Sequence, residues 1–157
     1  MLEREFDMNT QRIHTASPAE TEAIGAGLAA QLLDDPTLPR YIALYGDLGV
    51  GKTAFVRGVA SVLCPGVAVR SPTFALVHEH RGKLPMFHFD MYRITDEDDL
   101  YSIGYDDYLT RGGVILVEWS ENIPYALPDA YLRVCIAKDD PYTPDSREIT
   151  IEEVSVC

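Results

Sequence analysis

Hydrophobic and polar positions along the chain follow patterns that predict strands and helices in alternation. Residues 114–117 are four consecutive apolar, β-prone side chains, which indicates a strand buried on both faces, as in a parallel sheet. Weaker or alternating patterns predict further strands near residue 13 and at 41–45, 67–69, 74–79, 86–90, 131–136 and 148–154. The segments 74–79 and 86–90 flank a turn, so we expect them to pair as an antiparallel hairpin.

Helical periodicity appears in the segments between these strands. Ser17 followed by Pro18 is typical of a helix start, and apolar residues then recur at four-residue spacing to about residue 33. A second helix is predicted from residue 54 to about residue 64. Acidic residues at 96–99 favour the start of a third helix, which should continue to Gly104, and a short fourth helix is expected around 106–109.

The first apolar strand leads into a glycine-rich loop, GDLGVGKT at residues 46–53, which matches the phosphate-loop pattern G-x-x-x-x-G-K-[ST] between a strand and a helix. Glycines allow successive backbone N–H groups to turn inward around a polyphosphate at the N-terminus of a helix. The lysine adds a positive charge near the β and γ phosphates, and the threonine hydroxyl is a hard oxygen ligand for Mg²⁺. The predicted nucleotide-binding residues are Gly46, Asp47, Leu48, Gly49, Val50, Gly51, Lys52, Thr53 and Ala54.

Strands, phosphate loop and helices together predict an α/β fold. We expect a P-loop NTPase-like three-layer sandwich, with a mostly parallel central sheet and antiparallel edge strands, formed by a single domain that spans residues 1–157.

Two carboxylates follow predicted strands, Asp90 after 86–89 and Glu118 after 114–117. Ligands of open α/β sheets bind outside the carboxyl ends of the strands, so both acids should lie near the phosphate loop. One can hold Mg²⁺ while the other orients the attacking water; the alternative is that each caps a helix or pairs with Arg93 or Arg111. Thr73 lies in a kinked loop that is either a γ-phosphate sensor or a plain turn.

Three of the four histidines, His78, His80 and His88, lie on the predicted hairpin. Such a group can indicate a metal site. Neither a cysteine nor a matched histidine spacing accompanies it, so cross-strand or core packing is the favoured interpretation.

Composition limits the partners and the compartment. The net charge of −12 argues against tight binding of nucleic acid by this chain alone. Either the acidic surface binds a basic protein partner, or the charge only keeps the protein soluble. Three cysteines without metal-ligand spacing are typical of a reducing compartment. Because no signal peptide or long apolar span is recognisable, we expect a cytoplasmic protein without a membrane segment.

Four segments resemble the signature blocks of the TsaE family: GDLGVGKT at 46–53, SPTFALV at 71–77, HFDMYR at 88–93 and VEW at 117–119. That family is the small ATPase of the bacterial machinery that places threonylcarbamoyl on the adenosine next to the anticodon of certain tRNAs. The resemblance implies ATP and Mg²⁺ as cofactors and the subunits TsaB and TsaD as partners, with tRNA contacted only indirectly through their complex.

The same resemblance implies roles for individual residues. Lys52 and Thr53 would bind phosphate and Mg²⁺, Glu118 would join Thr53 at the metal, and Asp90 would serve hydrolysis. The expected catalytic residues are therefore Lys52, Asp90 and Glu118. Thr73 would be a switch-like threonine, while Thr21 and Arg147 match, more loosely, family positions near the nucleotide.

Three other functions fit parts of the sequence. Residues 137–140, AKDD, resemble the [NT]-K-x-D guanine reader of a small GTP switch, but alanine replaces its first polar residue and Pro141 follows. A small-molecule kinase would need several basic residues in a mobile lid, where this chain is acidic. In the third alternative hydrolysis is slow and the bound nucleotide sets the affinity for a partner protein, which differs little from the function of the family.

Overall fold

The computed structural model describes residues 10–47, 49–72 and 75–156, and a mixed seven-stranded sheet runs through it. The strands lie in the order β1-β7-β6-β2-β5-β4-β3. Their bounds are β1 Thr10–Thr15, β2 Tyr41–Tyr45, β3 Val77–His80, β4 Met86–Asp90, β5 Val114–Glu118, β6 Ala130–Lys138 and β7 Arg147–Ser155. The four central strands, β4, β5, β2 and β6, are parallel, whereas β1, β7 and β3 pair antiparallel. The prediction of a mixed sheet that is parallel in the middle is confirmed.

Helices cover both faces of this sheet. The helices are α1 Pro18–Asp34, α2 Lys52–Leu63, α3 Glu97–Ser102 and α4 Tyr105–Leu109. Side chains alternate along each strand, so Ile42 and Leu44 of β2 pack in the cluster that contains α1 and α2. Tyr41 and Ala43 of the same strand pack in the opposite cluster, with α3 and α4.

The sequence pattern predicted most of these elements within a few residues. The exception is residues 67–69, where the sequence predicts a strand but the structure forms none. The predicted hairpin is present as β3 and β4, where His78 lies opposite His88. Within the described residues, no helix has the length and apolar character needed to span a bilayer.

Helices α1 and α2 are in direct backbone contact at two glycines. A Cβ atom added to Gly25 of α1 would lie 2.2 Å from the carbonyl oxygen of Phe55, and one added to Gly58 of α2 would lie 1.9 Å from that of Glu22. Both distances are far below van der Waals contact, so only glycine fits at either position. The contact positions α2, and therefore its N-terminus, against the sheet.

Gly25→Ala should lower the free energy of unfolding by about 1–3 kcal/mol, because the methyl group forces the two helices apart. Gly27 of the same helix is the matched control, since a Cβ atom there would have nothing within 4 Å. Gly27→Ala should leave stability unchanged or raise it by up to about 1 kcal/mol. Urea denaturation followed by circular dichroism measures both; equal effects would contradict the close backbone contact.

Candidate functional site

The glycine-rich loop connects the end of β2 to the N-terminus of α2. Gly51 is the N-cap residue of α2, with φ 106°, and Gly46 has φ 148°. A Cβ atom at Gly46 would lie 2.5 Å from the carbonyl oxygen of Ile136 on β6, so the loop passes against that strand. Among the described residues, no side chain caps α2. The first-turn N–H groups of this helix therefore form an anion-binding end with a partial positive charge.

Lys52 is the first residue of α2 and is buried, with 5% of its surface exposed. Its Nζ donates a hydrogen bond to the carbonyl oxygen of Gly46 at 2.8 Å and lies 4.0 Å from the centroid of the Trp119 ring. Both contacts favour the charged ammonium, through the carbonyl dipole and the negative face of the indole. The ammonium is thus held beside the N-terminus of α2.

Asp90 ends β4 and is buried, with 3% of its surface exposed. Its Oδ1 accepts a hydrogen bond from the backbone N–H of Tyr92 at 2.9 Å, and its Oδ2 accepts one from Ser71 Oγ at 3.3 Å. These bonds stabilise the carboxylate and fix its orientation.

Glu118 ends the neighbouring strand β5 and is opposite Asp90 in the parallel register. Adjacent strands are about 4.8 Å apart, so the two carboxylates leave the sheet side by side. His88 of β4, fully buried at 0% exposure, contacts Glu118 through a hydrogen bond of 2.5 Å between Nε2 and Oε2. The imidazole therefore positions one oxygen of Glu118.

A cavity of about 550 Å³ joins the helix terminus, the lysine and the two acids. This volume is within the usual range for small-molecule sites. Its lining residues are Gly49, Gly51, Lys52, Thr53, Ser71, Asp90, Tyr92, Glu118 and Trp119. The arrangement combines hydrogen-bond donors and a cation on one side with hard oxygen ligands on the other, which suits a phosphate chain that carries a divalent metal ion.

A second, small cavity of about 30 Å³ lies at the other side of the loop. It brings together Thr21, Val50, Gly51, Ala54 and Arg147. Arg147 Nε donates to the carbonyl oxygen of Val50 at 2.7 Å, and the Thr21 hydroxyl shares a hydrogen bond of 2.9 Å with Thr15. Arg147 therefore ties the C-terminal strand β7 to the loop.

The structure does not bring every predicted site residue to a cavity. Gly46 contributes its carbonyl to Lys52, and Asp47 is exposed in the turn that follows; neither lines either cavity. Leu48 and Thr73 lie outside the described residues. The alternative partner Arg111 binds Glu79 and Asp107, so it pairs with neither strand-end acid.

Sequence reasoning missed three residues that shape the site. Ser71 and Tyr92 bond to Asp90, and His88 bonds to Glu118. The signal for His88 was its place two residues before Asp90, since alternate residues of a strand share a face. Trp119 entered the sequence analysis only as the last residue of the VEW segment, yet the Lys52 ammonium lies over its ring, which is 5.0 Å from that of Tyr92.

Strained backbone flanks both acids. Among the described residues, Leu76 and Trp119 are the non-glycine residues with positive φ, at 68° and 59°. Trp119 directly follows Glu118, and the carbonyl oxygen of Leu76 accepts the backbone N–H of Asp90 at 3.0 Å. Such conformations cost on the order of 1–3 kcal/mol and concentrate at functional sites.

His80 lies near His78 and His88 on the β3–β4 hairpin. Burial lowers the pKa of His80 below its ordinary value, and the neighbouring His88 and His78 lower it further. The His80 ring is therefore neutral at pH 7.

Comparison with known proteins identifies relatives along most of the chain. The model of the family described as threonylcarbamoyl adenosine biosynthesis protein TsaE matches residues 15–149. The tRNA threonylcarbamoyladenosine biosynthesis protein TsaE of Bacillus subtilis is 38% identical over 148 residues, which cover 94% of this chain and 88% of the relative. The protein of the same name in Treponema pallidum is 30% identical over 133 residues, which cover 85% of this chain and 94% of that relative.

A solved structure agrees with these relatives. The crystal structure of Bacillus subtilis YdiB superposes with a TM-score of 0.72 at 34% identity, covering 95% of this chain and 87% of that one. The match to the family model and the identity to these relatives show that this chain belongs to the TsaE family of threonylcarbamoyladenosine biosynthesis proteins.

Proposed function

We propose that this chain binds and hydrolyses ATP with Mg²⁺ as the ATPase subunit for threonylcarbamoyladenosine modification of tRNA. It would act in the cytoplasm on a complex of TsaB and TsaD and meet tRNA only through that complex. The observation that carries the proposal is the convergence of Lys52, Thr53, Asp90 and Glu118 on one cavity at the N-terminus of α2. The similarity to tRNA threonylcarbamoyladenosine biosynthesis proteins of two bacteria supports the pathway.

The fold is consistent with this activity. We assign it to the P-loop NTPase-like three-layer sandwiches, on the strand, glycine loop and helix between β2 and α2 and on the helices that cover both faces of the sheet. In such sheets the carboxyl ends of the parallel strands form the ligand edge.

Phosphate binding would fall to the loop and to Lys52. The N-terminus of α2 lines the cavity, and its free backbone N–H groups would bind and stabilise an anion there. Lys52 can bind a phosphate oxygen as a point charge, and its stacking on Trp119 keeps the ammonium at the cavity wall. Both interactions would also stabilise the charge that develops on the γ phosphate during hydrolysis.

Thr53 and Glu118 would hold Mg²⁺, because the threonine hydroxyl and the carboxylate line the same cavity and offer the hard oxygens that this ion prefers. When bound, the ion would neutralise phosphate charge. The hydrogen bond from His88 orients one oxygen of Glu118 and leaves the other as a ligand.

Asp90 would orient the attacking water and accept its proton. Hydrogen bonds from Tyr92 N–H and Ser71 Oγ hold the carboxylate in one orientation. Thr21, Ala54 and Arg147 would lie on the nucleoside side, where Arg147 also fixes the loop through Val50.

The rival functions have weaker support. In the residues 137–140 that resemble a guanine reader, Asp139 accepts a hydrogen bond from His14 Nδ1 at 2.9 Å, and it is not among the residues that line the 550 Å³ cavity. A comparison of the affinities for ATP and GTP distinguishes an ATPase from a guanine-nucleotide switch. A kinase would need several basic lid residues near the phosphates. Among the described residues that line the 550 Å³ cavity, Lys52 is the only basic one, which argues against a kinase.

Asp90→Asn should reduce ATP turnover by about 10²- to 10⁴-fold while nucleotide affinity changes little, because the amide keeps the shape but cannot take a proton. Glu118→Gln should reduce turnover and shift the Mg²⁺ requirement to higher concentration. Both are measured by phosphate release in the presence of the TsaB–TsaD complex.

Asp98→Asn is the matched control for these variants, since it makes the same change of charge at an exposed position on α3. It should retain parental turnover. Parental turnover in Asp90→Asn and Glu118→Gln would remove both acids from the catalytic assignment.

Trp119, the single tryptophan, should report nucleotide binding through its fluorescence. Its ring lines the cavity 4.0 Å from Lys52 Nζ, so a phosphate chain that attracts the ammonium changes the surroundings of the indole. Titration with Mg²⁺–ATP should give a saturable change in emission, and Lys52→Ala should weaken the apparent affinity at least tenfold. An emission spectrum unaffected by saturating nucleotide would contradict this placement.

The role in the complex is tested by affinity measurements. ATP, but not ADP, should change the affinity of this chain for a TsaB–TsaD complex, as measured by biolayer interferometry. We expect the isolated chain to be a weak ATPase that the complex stimulates. Brisk turnover without partners, or identical affinities with both nucleotides, would overturn this part of the proposal.

A further inference from the structure

Three of the four histidines converge on one face of the β3–β4 hairpin, behind the nucleotide cavity. His78 lies directly opposite His88 in the antiparallel register, and His80 is two residues along β3 on the same face. One ring nitrogen from each of these side chains lies within 4.8 Å of the other two. The nucleotide site uses none of the three rings directly.

The separation is close to what one metal ion requires. Two imidazole ligands on a tetrahedral Zn²⁺, each at about 2.0–2.1 Å, are about 3.3 Å apart. The rings therefore need to approach by at most about 1.5 Å. His78 and His80 are only partly buried, so rotation of their side chains can supply this movement, while the fully buried His88 remains fixed.

Two nitrogens of the cluster have no hydrogen-bond partner in the described part of the chain. They are His80 Nε2 and His88 Nδ1, and both are buried. A buried polar atom without a partner costs about 1–3 kcal/mol, so an unpaired nitrogen at two adjacent rings calls for an explanation. A shared metal ion would satisfy both nitrogens at once.

The hydrogen bond to Glu118 sets the tautomer of His88. A carboxylate accepts, so His88 Nε2 carries the proton and the lone pair is on Nδ1, the atom without a partner. Metal-binding histidines commonly donate their other ring N–H to a carboxylate, which fixes the ring and makes it a stronger ligand. His88 and Glu118 have this arrangement.

The hairpin that carries the cluster is anchored to α2. The backbone N–H of Lys83 donates to the carbonyl oxygen of Leu63 at 2.8 Å, and a Cβ atom at Gly82 would lie 2.1 Å from the same oxygen. The turn therefore fits tightly against the end of α2, and this contact holds the register of the histidines.

We propose that His78, His80 and His88 form a binding site for a divalent transition-metal ion, for which Zn²⁺ fits best, with Glu118 as the outer carboxylate that orients His88. Three imidazoles favour zinc over the harder Mg²⁺, so this site is distinct from the magnesium site of the nucleotide cavity. Three protein ligands leave a fourth position for water or another ligand. His80 also lines a surface cavity of about 590 Å³.

A bound ion would also affect the nucleotide site, since Glu118 contacts His88 on one side and lines the large cavity on the other. This consequence rests on the proposed function; the metal site itself does not. Zinc binding is therefore measured without nucleotide, so that failure of one proposal is distinguishable from failure of the other.

The test is a titration of the tag-free, metal-stripped full chain with Zn²⁺ against a chromophoric chelator. The parent should bind one equivalent. His80→Gln and His78→Gln should each weaken binding by more than about 100-fold, and Glu118→Ala by about 10- to 100-fold, as expected for an outer residue. Circular dichroism and urea denaturation establish that each variant is folded.

His14→Gln is the matched control, because His14 is the remaining histidine and its ring forms a different cluster with Asp139 and Glu148. It should retain parental zinc affinity, and His80→Gln should retain parental affinity for Mg²⁺–ATP. A parent that binds zinc no better than His80→Gln would show that the rings only pack together and would overturn the proposal. So would loss of binding in His14→Gln, or a thiolate charge-transfer band with Co²⁺, which would place the ion at a cysteine.

Discussion

Parallel pairing of β4, β5 and β2 determines where the chemistry of this protein can occur. Because the three strands run in the same direction, their carboxyl ends meet at one edge of the sheet, beside the 550 Å³ cavity. β4 ends in Asp90, β5 in Glu118, and β2 in the glycine loop that leads to α2. The glycine contact between α1 and α2 then orients the helix, so that its N-terminus and Lys52 meet the two carboxylates.

Burial of ionisable groups marks the same edge. Lysine, aspartate and glutamate are rarely fully buried unless they are paired, and here Lys52, Asp90, His88 and Glu118 are all buried within one region. Each has partners: a carbonyl and an indole for Lys52, a hydroxyl and a backbone N–H for Asp90, and an imidazole for Glu118. Desolvation strengthens each of these interactions and would equally strengthen contacts with a bound phosphate.

The sequence alone was sufficient for features that local chemistry determines. The glycine-rich loop between a strand and a helix, the strand-end acids and the hairpin follow from spacing and alternation, and the structure brings Lys52, Thr53, Asp90 and Glu118 to one cavity. Features that depend on contacts distant in sequence could not be predicted. The place of β1 beside β7 and the hydrogen bond between His88 and Glu118 join residues 30 or more positions apart. The roles of the predicted site residues remain predictions, including those of Leu48 and Thr73, which lie outside the described residues.

Glu118 lies where two clusters of side chains meet, and the geometry of β4 explains why. His88 and Asp90 are two residues apart on β4, so both side chains project from the same face of the sheet. His88 belongs to the histidine cluster, Asp90 lines the 550 Å³ cavity, and Glu118 of the adjacent strand contacts His88 and pairs in register with Asp90. A shift of β4 along β5 would change both environments together, so the parallel register itself links the two sites.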